Sequence, residues 1–235
     1  MSDLVAALSR VPLFRELSPE ELERLERISS LRSYGRKTAV FHEGTERETV
    51  YFVLRGLVKT YKTDEEGHEQ IMNILKTGDL FPQTGFFDSA PYPSTAEAIV
   101  DTRLLSIPVH TFEQLILTVP AISIKLMRVM SGRIIDLQQR LHDFAGHDAA
   151  ERVVLYLIKL ALDYGRPDNT TEVPSVRIPI PLTNQELASA VGTTRETVNR
   201  LVSMLRKEGL IDSDRSGYTI FDKEKLLHRI RKDEH

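Results

Sequence analysis

The 235-residue chain carries 31 Lys+Arg against 34 Asp+Glu, a formal net charge of -3, with 41% hydrophobic and 28% charged residues. That composition fits a soluble globular protein of one large or two medium domains, and its slight acidity argues against a protein that coats nucleic acid indiscriminately. It contains no cysteine, which excludes disulfides, cysteine-ligated iron–sulfur clusters and thiol redox switches.

Residues Leu4 to Leu8 read as a short apolar helix, followed by Val11-Pro12-Leu13-Phe14. Ser18, Pro19 and Glu21 combine an N-cap, a proline at the first helical position and a capping box. The helix they start runs to about Ser29 and buries Leu22, Leu25 and Ile28. Neither a signal-peptide pattern nor a membrane-length apolar run is seen, so the expected location is the cytoplasm. From Leu31 to Pro108 short β segments alternate with glycine-bearing turns. Val50, Phe52 and Leu54 alternate, Gly56 turns the chain into Leu57 to Tyr61, and Asp64 to Gly67 is a hairpin turn into Ile71 to Leu75. Lys76 to Asp79 turns again, and Ala96 to Val100 and Leu104 to Ile107 close the set. This predicts an antiparallel barrel or roll.

Ala121 to Phe144 reads as one long helix. Met127, Met130, Ile134, Leu137, Leu141 and Phe144 step by three and four, a heptad seam. Leu126, Val129 and Ile135 lie off that seam, so one face has apolar surface for the roll while the seam faces a second copy. Gly146-His147-Asp148 is the expected hinge before an apolar helix from Ala149 to Tyr164. Gly165 to Pro174 reads as a surface loop. Val176 to Leu182 reads as a strand interrupted by Pro179 and Pro181, hence an edge.

Leu182 to Leu210 carries the most information. Thr183 with Glu186 is a capping box; Leu187, Ala188 and Val191 are the apolar positions of a first helix; Gly192 turns the chain. Thr194 is the N-cap of a second helix, in which Val198, Leu201, Val202 and Leu205 form a buried stripe. Its opposite face shows Arg195, Glu196, Asn199 and Arg200 within two turns. This is the layout of a helix-turn-helix, whose second helix lays its first residues against base edges. Arginine donates to guanine O6 and N7, and glutamate accepts from cytosine N4. The hydroxyls of Thr193 and Thr194 and the helix N-terminal amides point where a phosphate would sit, and Thr183 is a further candidate DNA-binding residue. From Ala150 onward there are 14 Lys+Arg and 13 Asp+Glu, a net of +1, so DNA affinity must come from a local cluster such as Arg195, Arg200, Arg206 and Lys207. Beyond it, Leu210-Ile211, Asp214 to Gly217 and Tyr218 to Ile220 make a wing, and Asp222 caps a last helix using Leu226, Leu227 and Ile230.

The run Thr194-Arg195-Glu196-Thr197-Val198-Asn199-Arg200 resembles the recognition helix of the CRP/FNR family of bacterial transcription regulators. The order Phe41-x-Glu43-Gly44, Val50-Tyr51-x-Val53, Gly56-x-Val58, Gly67, Gly78-Asp79-Leu80-Phe81 resembles that family's cyclic-nucleotide-binding-type β-roll. The resemblance implies an α+β protein: an N-terminal antiparallel β-roll over residues 1–119, a long dimerisation helix over 120–145 and a winged helix-turn-helix domain over 146–235. It implies a homodimer bound to double-stranded DNA at a TGTGA-like inverted repeat, with Arg195 and Arg200 on guanines and Glu196 on a cytosine. Asn199 replaces the small residue often found there. RNA polymerase and an unidentified small-molecule effector remain open as partners.

Family members that bind cyclic AMP carry a Gly-Glu-Leu turn for the ribose and an Arg-Ser pair for the phosphate. The matching positions here read Pro82-Gln83-Thr84 and Pro93-Ser94, and no basic residue lies between Lys76 and Arg103. On the long helix, Leu137 and Gln138 stand where two polar residues reach the base. Cyclic AMP is therefore not expected as effector. Phe81, Gln83, Thr84, Ser94, Thr95, Leu137 and Gln138 are the candidate lining for a neutral or apolar effector. The alternative is no ligand, with the aromatic rings of Gly85 to Pro93 filling the pocket. No cofactor and no metal are expected: His42, His68 and His110 read as solvated or structural rather than haem ligands. A metal-dependent enzyme of the cupin type would need histidines and a carboxylate close together on neighbouring strands, and these are scattered. The protein is read as a non-enzyme. A third reading, a ligand-binding module whose C-terminal helices contact other proteins, is disfavoured by the base-reading face.

Overall fold

A computed structural model describes residues 3–8, 11–15, 17–168 and 174–230. The chain forms two compact units, residues 1–66 with 71–137 and residues 67–70 with 138–235.

The first unit opens with α1 (Asp3–Leu8), a 3-10 turn (Pro12–Phe14) and α2 (Pro19–Ile28). The start of α2 is fixed locally. The Ser18 hydroxyl accepts from the Glu21 amide at 3.2 Å, and the Glu21 carboxylate accepts from the Ser18 amide at 2.7 Å. Eight strands follow: β1 (Ser30–Tyr34), β2 (Ala39–Phe41), β3 (Thr49–Arg55), β4 (Val58–Thr63), β5 (Glu69–Leu75), β6 (Leu80–Phe81), β7 (Thr95–Ala98) and β8 (Thr102–Pro108). They make two four-stranded sheets, ordered β1-β8-β3-β6 and β2-β7-β4-β5, as the glycine-punctuated pattern predicts. Strand β3 serves two cores at once. Val50 and Phe52 join Leu8, Phe14, Leu25 and Phe112 on one side, while Tyr51 and Val53 join Phe41, Phe81, Tyr92 and Leu104 on the other. A strand covered on both faces explains why Tyr51 and Val53 are as buried as their neighbours.

After β8 the structure adds a helix that sequence reasoning did not foresee, α3 (Val109–Thr118). It ends at Val119, held extended at φ -119°, ψ 94° by the proline that follows. Then α4 (Pro120–Gly146) runs without a break. Ile122 and Leu126 are buried against the roll and Met130 packs on the same core, a stripe at successive i, i+4 steps. Two expectations are corrected here. Val129 and Ile135, off the seam, face solvent rather than the roll, and Met130 belongs partly to the core rather than wholly to the seam. Among the described residues, no single helix is long and apolar enough to cross a membrane.

The second unit contains α5 (Ala149–Tyr164), β9 (Arg166–Asp168), β10 (Ser175–Ile178), α6 (Asn184–Val191), α7 (Arg195–Lys207), β11 (Ile211–Asp214), β12 (Gly217–Ile220) and α8 (Lys223–Ile230). Asp148 caps α5 in a second capping box, accepting from the Glu151 amide at 2.8 Å. Val153, Val154, Leu157, Ile158 and Leu160 of α5 are buried, and the helix packs on α6, α7, α8 and β10. The sheet order β11-β12-β10-β9 corrects the reading of Val176 to Leu182 as an edge. The strand stops at Ile178, so Pro179 and Pro181 lie beyond it and cost no ladder hydrogen bond. The edges are β11 and β9, and on the β10 side Pro167 of β9 pairs with Val176. Residues 166–168 of the expected loop are thus a strand, and 169–173 lie outside the described residues. In α8, Leu226 is buried and Leu227 half-buried; the Ile230 side chain lies outside the described residues.

Candidate nucleic-acid interface and effector site

The helix pair α6–α7 is built from short-range signals. The Thr183 amide donates to the Glu186 carboxylate at 2.9 Å, and the Glu186 amide donates to the Thr183 hydroxyl at 3.1 Å. Gly192 takes the left-handed conformation, φ 66° and ψ 52°, in which its amide reaches the Ala188 carbonyl. A side chain there would be strained by φ, and its Cβ would stand 3.2 Å from the Phe144 ring. The Thr194 hydroxyl accepts from the Thr197 amide at 3.2 Å and opens α7. Val198, Leu201, Val202 and Leu205 are all buried beneath it.

The opposite face is where the sequence put it. Arg195, Glu196, Asn199 and Arg200 are exposed, and Arg195, Glu196 and Arg200 hold no hydrogen bond or ion pair to another described residue. The three threonines are divided. Thr183 and Thr194 use their hydroxyls within the caps, and Thr193 is half-buried in the turn. Arg206, from the expected basic cluster, pairs with Asp212 at 3.0 Å.

Three residues that support this face escaped sequence reasoning. Arg152 of α5 donates Nε to the Val191 carbonyl (3.1 Å), Nη2 to the Gly192 carbonyl (3.2 Å) and Nη1 to the His147 carbonyl (2.9 Å). Its guanidinium also sits 4.6 Å from the Phe144 ring centroid. One side chain thereby closes the carbonyl end of α6 and the end of α4, as cations do at helix C-termini. The other two are Asn184 and Tyr218. The Tyr218 hydroxyl donates to Asn184 Oδ1 at 2.9 Å, and Asn184 Nδ2 donates to Asn199 Oδ1 at 2.6 Å. Burial pushes the Tyr218 hydroxyl up to about 12, so it keeps its proton. On the wing, hydrogen bonds from Ser216 and then Arg177 hold the Asp214 carboxyl down at about 2.

In the roll, the candidate effector residues are differently employed. Phe81 is buried in an aromatic cluster with Phe41, Tyr51 and Tyr92; the Phe41 and Tyr92 rings stack at 3.8 Å. The Tyr92 hydroxyl donates to the Thr49 carbonyl at 2.9 Å. Thr95 accepts from the Glu43 amide at 3.1 Å, Gln83 and Ser94 are half-buried, and Leu137 and Gln138 are exposed on α4. Of the rings in Gly85 to Pro93, Tyr92 fills the interior and Phe86 packs on Phe112, whereas Phe87 is exposed.

The structure also brings a guanidinium to this loop from outside the stretch between Lys76 and Arg103. Arg47, whose side chain is 4% exposed, donates Nη2 to the Asp88 carbonyl at 2.7 Å, pairs with the Asp88 carboxylate at 3.1 Å and reaches the Thr84 carbonyl at 3.4 Å. It lies so close to Gly85, at φ +88°, that a Cβ there would stand 1.6 Å from Nη1. Nothing in the charged run Thr45-Glu46-Arg47-Glu48 signals burial.

On the seam, Met127, Ile134, Leu137, Leu141 and Phe144 are 54–71% exposed, an unusual state for large apolar side chains along one helix. Among the described residues, no three His, Cys, Asp or Glu side chains gather as a metal-binding group.

Known proteins match both halves. The family model for a cyclic nucleotide-binding domain matches residues 31–118, and that for a Crp-like helix-turn-helix domain matches residues 151–229. A CRP-like cAMP-activated global transcriptional regulator of Mycobacterium tuberculosis is 30% identical over 224 residues, covering 95% of this chain and 98% of its own. In fold, the chain resembles FixK2 from Bradyrhizobium japonicum, with a TM-score of 0.72 at 22% identity over 86% of this chain and 97% of that one. It also resembles TTHA1359, a CRP/FNR-family transcriptional regulator from Thermus thermophilus, with a TM-score of 0.70 at 24% identity over 86% and 99%. With a matching effector-type domain, a matching DNA-binding domain and a relative aligned over nearly its full length, the chain belongs to the CRP/FNR family of DNA-binding transcription regulators.

Proposed function

We propose that the protein acts in the cytoplasm as a homodimer that reads a TGTGA-like inverted repeat through Arg195, Glu196 and Arg200 of each copy, without cyclic AMP. The observation that carries this reading is the state of α7. Its buried side is packed, its N-terminus is capped, and its three base-reading side chains are exposed with no partner among the described residues. Arg195 and Arg200 suit guanine O6 and N7, and Glu196 suits cytosine N4. The exposed seam of α4 supports a second copy, because five large apolar side chains on one helix gain about 25 cal/mol per Å² when covered. Two copies present two recognition helices to an inverted repeat.

Activation by cyclic AMP, which belongs to the Mycobacterium tuberculosis relative by name, is not carried over. The aromatic cluster occupies the roll interior, and the arginine that reaches the loop already holds Asp88 and two carbonyls. A regulator of this kind catalyses no reaction of its own.

The test is binding of the full-length protein to a labelled inverted repeat, a single half-site and a scrambled duplex. The expected order is inverted repeat, half-site, scrambled. Arg200→Ala should weaken binding to the inverted repeat by about 1–3 kcal/mol and relax one guanine position. Equal affinity of the variant and the wild type would remove Arg200 from the interface, and equal affinity for half-site and repeat would remove the dimer.

A further inference from the structure

Asn199 is the fifth residue of α7 and lies between Glu196 and Arg200 on the exposed face. An asparagine amide is ambiguous as a reader, because its oxygen accepts and its nitrogen donates. The surrounding network removes that ambiguity. Tyr218 is buried at 2% exposure, and its phenolic proton needs an acceptor, which Asn184 Oδ1 supplies at 2.9 Å. With its oxygen so engaged, the Asn184 amide turns its NH2 group to Asn199 and donates to Oδ1 at 2.6 Å. Turning the relay the other way would leave the buried phenol proton with no acceptor among the described hydrogen bonds. Asn199 is thereby held by its oxygen, and its Nδ2 hydrogens are the groups left uncommitted on the exposed face.

We propose that the Tyr218–Asn184–Asn199 relay sets the base chosen at this position: Asn199 selects a base whose major-groove edge offers an acceptor, and rejects cytosine. Guanine offers O6 and N7, adenine N7 and thymine O4, whereas cytosine offers only the N4 donor. Asn199 makes the contact, and Asn184 and Tyr218 act through it as positioning residues. This rests on the reading of α7 as the base-contacting helix.

The decisive variant is Asn184→Asp. It is nearly isosteric, and a carboxylate at the first position of α6 is favoured by the helix dipole. The new carboxylate still accepts from Tyr218 but can no longer donate to Asn199. It takes a hydrogen from Nδ2 instead, which turns the Asn199 amide over and presents Oδ1 to the groove. Tyr218→Phe removes the anchor while keeping the buried ring.

The experiment varies each base of the half-site in the inverted repeat and measures affinity of the full-length dimer for every duplex; Asn199→Ala identifies the position that residue faces. Wild type should bind the cytosine duplex on the order of tenfold more weakly than the best base there. Asn184→Asp should raise cytosine above thymine, with the added negative charge lowering all four affinities alike. Tyr218→Phe should flatten the ranking several-fold. If wild type is indifferent at that position, or Asn184→Asp keeps the wild-type order while Arg200→Ala still weakens binding, the relay is wrong and the helix reading stands. If wild type prefers no duplex to a scrambled one, the helix reading falls and the relay with it.

Discussion

The first turns of α7 and the loop from Pro82 to Ser94 of the roll are both polar, loop-adjacent surfaces of the kind that hold ligands, yet they are built in opposite ways. At the start of α6 the structure commits Thr183 and Glu186 to a capping box, at the start of α7 it commits Thr194 to the cap, and Arg195, Glu196 and Arg200 are left outward. On the roll, Arg47 pairs with the Asp88 carboxylate and donates to the Asp88 and Thr84 carbonyls, the Asp88 carboxylate also accepts from the Ala90 amide, and Phe41, Tyr51, Phe81 and Tyr92 pack together in the core. A surface that recognises a partner keeps its charged groups available. In the roll loop the charged groups are used internally.

The contrast predicts that the same kind of substitution has different consequences in the two places. Removing Arg47 should cost stability rather than DNA recognition. Arg47→Ala leaves the Asp88 carboxylate with the Ala90 amide but without its charged partner, takes the Arg47 donor from the Asp88 and Thr84 carbonyls, and opens a void behind Gly85. The expected loss is about 3 kcal/mol, below that for a fully buried pair because Asp88 is half-exposed. Chemical denaturation would measure it; an unchanged midpoint would mean that the loop does not depend on the pair.

Arg152→Ala should come next, at about 2 kcal/mol, since three carbonyls lose a charged donor. The effect should concentrate in the second unit, with faster hydrogen exchange at the turn around Gly192. Exchange that rises evenly through both units would contradict its role as a local clamp.

Alkaline pH should act through Tyr218, which is buried, and Tyr156, which is half-buried. Burial raises the Tyr218 and Tyr156 hydroxyls to about 12, against about 10 when unfolded. A raised folded value means the stabilisation is complete below pH 10 and is lost as pH climbs through 12, amounting to a few kcal/mol in total. Denaturation midpoints that stay level between pH 9 and pH 11.5 would contradict this. The smallest effect belongs to the cap of the recognition helix: Thr194→Ala should lower stability by about 1 kcal/mol, read by thermal melting, with base preferences unchanged.

What was legible in the sequence follows the range of the interactions. The caps of α2, α6 and α7 connect residues three apart, and the turn at Gly192 needs one residue type, so Ser18, Thr183, Thr194 and Gly192 could be read directly. The strands of the roll showed through their alternation and turns. Helix α3 did not, because Pro108 occupies its cap position without a side-chain hydrogen bond and its ends carry no acidic or basic signal. Pro179 and Pro181 suggested an edge only because the end of β10 at Ile178 could not be seen. Arg47, Arg152 and the Asn184–Tyr218 pair act across 34 to 41 residues of sequence, where local pattern carries no information.

The most direct measurement is the affinity of the protein for a TGTGA-type inverted repeat against a scrambled duplex, by fluorescence anisotropy at moderate salt, with and without cyclic AMP. An internally filled roll and an outward-facing α7 predict specific binding without the nucleotide and no change when it is added. Specific binding that requires cyclic AMP would contradict both the reading of the Arg47–Asp88 loop and the exclusion of that effector.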